Sequence, residues 1–110
     1  MKRGDVVLVV AQGDLRKPRL GVIVQADELG DSTTTVLICA MSSTIADTDL
    51  PRPIVEPTEK NGLRVRSQIM TDKLSALRRD RVLGVIGSLD AGASEQLNRA
   101  LLLVIGLARS

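Results

Sequence analysis

The apolar positions of this chain fall in short blocks, and most of the blocks have the length of a strand. Residues 5–11 carry an unbroken Val-Val-Leu-Val-Val run bounded by Gly4 and Gly13, which predicts a buried strand. Residues 12–18 read as a loop, with Gly13-Asp14 as turn chemistry. A second strand is predicted over 20–26, and residues 27–32 turn the chain through Gly30-Asp31. A third strand, rich in Thr and Val, covers 33–41 and runs into a loop at 42–48 that has no clear period. Pro51 and Pro53 bracket an extended segment continuing through Ile54-Val55. Proline removes ladder donors, so this segment suits a sheet edge.

Glu59-Lys60-Asn61-Gly62 is a hairpin signal, because Asn-Gly fits a tight turn with positive φ. Residues 63–70 then alternate, with Leu63, Val65 and Ser67 on one face and Arg64, Arg66 and Gln68 on the other. Residues 71–79 predict one or two helical turns capped by Thr71 or Asp72. A last strand is expected over 82–89. Asp90 or Ser94 then opens an amphipathic helix with Leu97, Leu101, Val104 and Ile105 on one face and Leu102 and Leu103 widening it. The sum is an α+β fold in which β dominates: a small, twisted, mostly antiparallel barrel of about five to seven short strands with a C-terminal helix.

Composition narrows this picture. A chain of 110 residues supports one domain, here 1–110. Its 44% apolar content includes no Phe, Tyr or Trp, so the core must be aliphatic. A bound single strand could not stack on aromatic rings and would be held by charge and hydrogen bonds. The net charge of +2 does not by itself imply nucleic acid. The basic residues do cluster, at Arg16, Lys17 and Arg19, at Arg64 and Arg66, and at Lys73, Arg78, Arg79 and Arg81. Taken singly, each such cluster is more often a solvated loop than a binding site. The single Cys39 sits in an apolar run and suits a reducing cytoplasm. Neither a secretory leader nor a membrane span is expected, since the longest apolar run falls far short of the ~20 residues a span needs.

The chemistry open to this chain is narrow. Without His, Ser-His and Cys-His nucleophile pairs cannot form, and familiar zinc sites have no ligand set. Neither a P-loop nor a dinucleotide fingerprint occurs, and the carboxylates are scattered; no cofactor or metal is expected. What remains is chemistry run by Arg, Lys and hydroxyl groups. RNA phosphodiester cleavage is such a chemistry, because the 2′-OH of the RNA supplies the nucleophile. The protein must orient the strand and stabilise added negative charge, and a guanidinium fork matches phosphate oxygens well.

Arg3-Gly4-Asp5 before the first strand, Lys17-Pro18-Arg19 before the second, Ser42 at the end of the third, Gln68 before the following segment, and a helix closing at Gly106-Leu107 occur in this order. Together they resemble the MazF/PemK family of toxin endoribonucleases over residues 2–107. The resemblance implies an SH3-like barrel of the CcdB–PemK type and a sequence-selective, metal-independent cut in single-stranded RNA. It implies a homodimer neutralised by a cognate antitoxin. It assigns catalysis to Arg19 and Ser42, with Arg19 on the phosphate and Ser42 holding a phosphate oxygen or the reacting group. RNA contacts fall to Arg16, Lys17, Ser43, Thr44, Arg64, Arg66 and Gln68.

Each residue also has a purely structural use: Arg19 as a loop charge, Ser42 as a turn cap, Gln68 as a structural hydrogen-bonding group. The chain departs from the family at three places. Proline precedes Arg19 where relatives usually have Arg-Pro, so Lys17 can share its role. Ser67 stands where many relatives have an acid, and Met70 where many have Arg. Two rival readings are a CcdB-like gyrase poison and a silent RNA- or antitoxin-binding barrel. The gyrase poison is disfavoured because the Trp-Gly-Ile ending of that type is missing from the Gly106-Leu107-Ala108-Arg109-Ser110 end.

Overall fold

The computed structural model describes residues 1–11 and 14–109, apart from the side chains of Ala11 and 14–16. Six strands form one antiparallel sheet: β1 (Asp5–Ala11), β2 (Asp14–Ile23), β3 (Thr35–Ser42), β4 (Ile54–Val55), β5 (Ser67–Arg78) and β6 (Val82–Ser88), in the order β4-β5-β3-β2-β1-β6. One helix follows, α1 (Ala91–Val104). Asp90 caps it, its carboxylate accepting the Ala93 N–H at 2.8 Å.

The run in β1 is continuous because both faces of the strand are buried. Val6 joins Val22, Cys39, Met41 and Ile69 in one core, completed by Val55, Leu63, Leu89 and, from α1, Leu97 and Leu101. Val7 and Val9 join Ile23, Val36 and Ile38 in a second core on the other face, with Leu77 and Val82 against it. The sheet curls into a half-barrel because the turn between β4 and β5 reaches β6. The Ser88 N–H donates to Lys60 O at 2.9 Å, and Gly87 lies so close to Asn61 that a Cβ would collide with its backbone.

Asn61 builds that turn. Its side-chain oxygen accepts the Thr58 and Leu63 N–H groups at 3.0 and 2.9 Å, and its amide nitrogen donates to Glu56 O at 2.9 Å. Gly62 takes φ +70, as the Asn-Gly signal implied. The turn does not join two paired flanks, however. Residues 63–66 pass as irregular chain, and strand pairing begins at Ser67.

Two further expectations fail for identifiable reasons. Residues 71–78 are not helical; they continue β5, and only Arg79 enters a short 3₁₀ turn, Arg79–Arg81. Leu74 packs on the first core and Leu77 on the second. A three-residue spacing places two strand residues on opposite faces, so a strand buried on both sides imitates a helical period. Residues 14–18 are not loop but the start of β2. Between Val9↔Arg19 and Ala11↔Asp14 the register shifts, and Pro18 falls in that irregular stretch, where a ladder bond need not be made. At the far end α1 stops at Val104, so Ile105 is half exposed instead of extending the buried face.

Arg3, from the opening motif, is a staple. Its backbone N–H donates to Asp27 at 2.7 Å, its Nε to Val24 O at 3.0 Å and its Nη1 to Asn98 of α1 at 2.7 Å. Beside it Gly4 takes φ +90 and donates to Ile23 O at 2.8 Å. The Arg-Gly-Asp signature thus locks the helix to the end of β2.

Candidate functional site

The site residues converge through strand register. β2 and β3 pair as Gly21↔Ala40, Val22↔Cys39 and Ile23↔Ile38. Continuing that register two residues past its last pair sets Arg19 opposite Ser42. Ser42 in turn pairs with Gln68 of β5, and Arg19 with Val9 of β1. Opposed residues of antiparallel strands share a face. Arg19, Ser42 and Gln68 therefore lie in one row on the sheet face opposite the core capped by α1; Ser42 and Gln68 are paired, and Arg19 lies two residues beyond the last β2–β3 pair.

Within that row exposure falls steadily. Arg19 is exposed, Ser42 half-buried and Gln68 buried. The Ser42 hydroxyl accepts the Thr44 N–H at 3.1 Å and donates to Thr44 O at 3.2 Å, which makes it the cap of a tight turn as well as a candidate reacting group. Ser43 and Thr44 are exposed beside it. The Gln68 amide is occupied: its oxygen accepts the Ala46 N–H at 3.1 Å, and its nitrogen donates to Ala46 O at 3.2 Å.

The other cations are more dispersed. Lys17 is exposed, two residues before Arg19. The Arg16 side chain lies outside the described residues. Arg64 and Arg66 are exposed on the irregular segment ahead of β5 and not on a strand, and Arg66 pairs with Glu56 at 2.9 Å. Arg79, at the opposite end of β5, is consumed structurally, donating to Thr33 O at 2.7 Å and Gly30 O at 2.6 Å.

The fold shifts protonation at two places near but not on this row. Burial pushes the Cys39 thiol up to about 11, and its side chain is fully enclosed, so it is no nucleophile. The Arg52 guanidinium, in a bidentate pair at 2.7 and 2.9 Å, holds the Asp72 carboxyl below the ordinary aspartate range. That pair, with the Thr71 hydroxyl donating to Pro51 O at 2.6 Å, fastens the segment leading into β4 onto β5.

Sequence reasoning missed the Ala46 backbone, because nothing in an irregular stretch advertises a partner. The clue was present only as a buried-type neighbourhood around a Gln.

The six-stranded half-barrel closed by a C-terminal helix is the fold of known small toxins. The model of the PemK-like, MazF-like toxins of type II toxin–antitoxin systems matches residues 2–105, and the chain belongs to that family. It is 33% identical over 109 residues to the probable endoribonuclease MazF of Mycolicibacterium smegmatis, covering 98% of this chain and 99% of that protein. The fold matches a mycobacterial endoribonuclease solved with its cognate antitoxin, at TM-score 0.81 and 18% identity over 100% of this chain and 99% of that one. It also matches the toxin of a MazE–MazF structure from Deinococcus radiodurans, at TM-score 0.78 and 14% identity over 98% and 97%. These matches favour the MazF-type reading over the gyrase-poison reading.

Proposed function

We propose that this endoribonuclease toxin of the MazF type cuts single-stranded RNA at a short sequence motif, without a metal ion, from the row bearing Arg19 and Ser42. The assignment is supported by the β2–β3 register, which, continued two residues past its last pair, brings Arg19 onto the face and level of Ser42. Here the RNA 2′-OH attacks the adjacent phosphorus, its proton passes to a base, and the 5′-oxygen leaves with a proton, giving a 2′,3′-cyclic phosphate. Arg19 meets the extra charge that develops on the phosphate oxygens. The Ser42 hydroxyl, already oriented by Thr44, keeps one lone pair free for the reacting groups and gives them its proton only by releasing Thr44 O.

Lys17, Arg16 and Arg64 supply the field that tracks the backbone, with Arg66 joining once RNA phosphate competes with Glu56. Ser43 and Thr44 stand where base edges pass. Binding through such a field weakens as salt rises. The chain acts as a homodimer in the cytoplasm. The open edge strand β6 exposes Leu83, Val85 and Ile86, an apolar surface that a lone protomer leaves in water. An antitoxin segment that covers the Arg19 row neutralises the enzyme by exclusion.

The test is cleavage of a long single-stranded RNA in EDTA, with the 5′ ends mapped. Discrete cuts at a recurring motif are expected, with Arg19→Ala slower by roughly 100- to 1000-fold. Intact RNA from a well-folded protein, or full-rate cutting by Arg19→Ala, refutes the assignment.

A further inference from the structure

Residues 43–47 follow β3 without entering regular structure. Among the described residues, no backbone–backbone hydrogen bond holds them. Two side chains do. At the near end the Ser42 hydroxyl makes both of its bonds to Thr44, and at the far end the Gln68 amide makes both of its bonds to Ala46. Gln68 sits beneath the loop at 3% exposure, on the junction where β5 pairs with both Ser42 and Ile54. A side chain that reads a base must present donors and acceptors outward. The Gln68 amide faces the protein backbone instead, and its length alone spans from β5 to Ala46.

We infer that Gln68 is a positioning residue, not an RNA contact: it fixes the 43–46 loop and through it the turn that orients Ser42. The inference rests on the reading of Ser42 as a reacting group. The amide is matched to both backbone groups of one residue, donating to Ala46 O and accepting from Ala46 N–H. Glutamate has the same length but, when ionised, has no donor and sets a negative oxygen against a carbonyl. When protonated it regains the donor and reproduces the glutamine pattern. Burial raises the pKa of such a carboxyl, so recovery falls within a workable acid range. Methionine fills the same volume with neither bond.

The experiment compares Gln68→Met, Gln68→Glu, Ser42→Ala and the Ser42→Ala/Gln68→Met double variant. Each is assayed on one RNA of mapped cut sites, with amide exchange followed at Ala46. Gln68→Met should lower kcat by about 100-fold, the scale of a small misplacement, with KM and the cut motif unchanged and Ala46 exchange at least about tenfold faster. Gln68→Glu, measured against the wild type at each pH, should recover as pH falls, which also shows that this variant folds. The double variant should be no slower than Ser42→Ala.

A changed cut motif, or a raised KM with kcat intact, makes Gln68 an RNA contact and overturns the inference. Unchanged Ala46 exchange, or no acid recovery of Gln68→Glu, overturns it as well. Full-rate cutting by Ser42→Ala sinks the Ser42 reading instead. Ala46 exchange and the acid recovery then still decide the role of Gln68.

Discussion

Replacing Leu97 by alanine tests whether the helix is a structural member of the barrel. Leu97 is fully enclosed, at 0% exposure, where α1 meets Val6, Val22, Cys39 and Ile69. The substitution removes three carbons, roughly 2.4 kcal/mol at ~0.8 kcal/mol per buried methylene. The neighbours sit on paired strands, three of the four being β-branched, and cannot slide inward to fill the space, so a cavity term adds to this. The expected loss is about 3–4 kcal/mol, inside the ~2.7–5 kcal/mol span of comparable changes. A domain of this size loses about 4 °C per kcal/mol, so the melting temperature should fall by roughly 12–16 °C. Urea unfolding by linear extrapolation measures the change. Leu102→Ala, on the same helix but 42% exposed, is the control and should cost under ~1 kcal/mol. A loss below ~1.5 kcal/mol for Leu97→Ala with an unchanged slope would refute the packing argument. A large, concentration-dependent loss for Leu102→Ala would instead place that side chain in a subunit interface.

Gly87→Ala should unfold or severely destabilise the chain, because its Cβ would strike the backbone of Asn61 and Lys60 where the turn closes on β6; Gly84→Ala, which meets nothing within 4 Å, should be nearly neutral, and thermal melts of the two settle the point. Because hydrogen bonds from Arg52 depress the folded Asp72 carboxyl, that group adds stability above the ordinary aspartate pKa and loses it as pH falls through the depressed value. Asp72→Asn should flatten this acid limb of a stability–pH curve, and an unchanged limb would exclude the pair as its source. The Cys39 thiol, enclosed and pushed up to about 11, should react with a disulfide reagent only through opening of the barrel, so labelling should be slow in the native protein and accelerate with denaturant; rapid native labelling would refute the enclosure.

Much of the strand inventory was legible from its short apolar blocks. β1 at Asp5–Ala11, buried on both faces, and β6 at Val82–Ser88, an edge strand with exposed Leu83, Val85 and Ile86, both follow those blocks closely. The prolines marked β4 as an edge, and it is one. The helix start was written in Asp90. The failures share a cause. Residues 71–79 have helical spacing locally, but pairing with β3 and two separate cores make 71–78 strand, a preference that no window of sequence contains. Residues 63–66 alternate like a strand, yet the Asn61 turn and the approach to β6 leave them no partner.

The sequence alone determined the chemistry. Lacking His and aromatic residues, with a single thiol and scattered carboxylates, the chain points to chemistry run by guanidinium, ammonium and hydroxyl groups, and its motif order identified the family. Tertiary structure alone decided which of those groups meet. Arg19, Ser42 and Gln68 are far apart in the chain and become one row only because antiparallel register equates positions on neighbouring strands. It also decided that Gln68 faces Ala46 and Arg3 faces α1. Hydrogen-bond partners are a property of three-dimensional neighbourhood, and a side chain's identity states what it can bond to without stating what stands beside it.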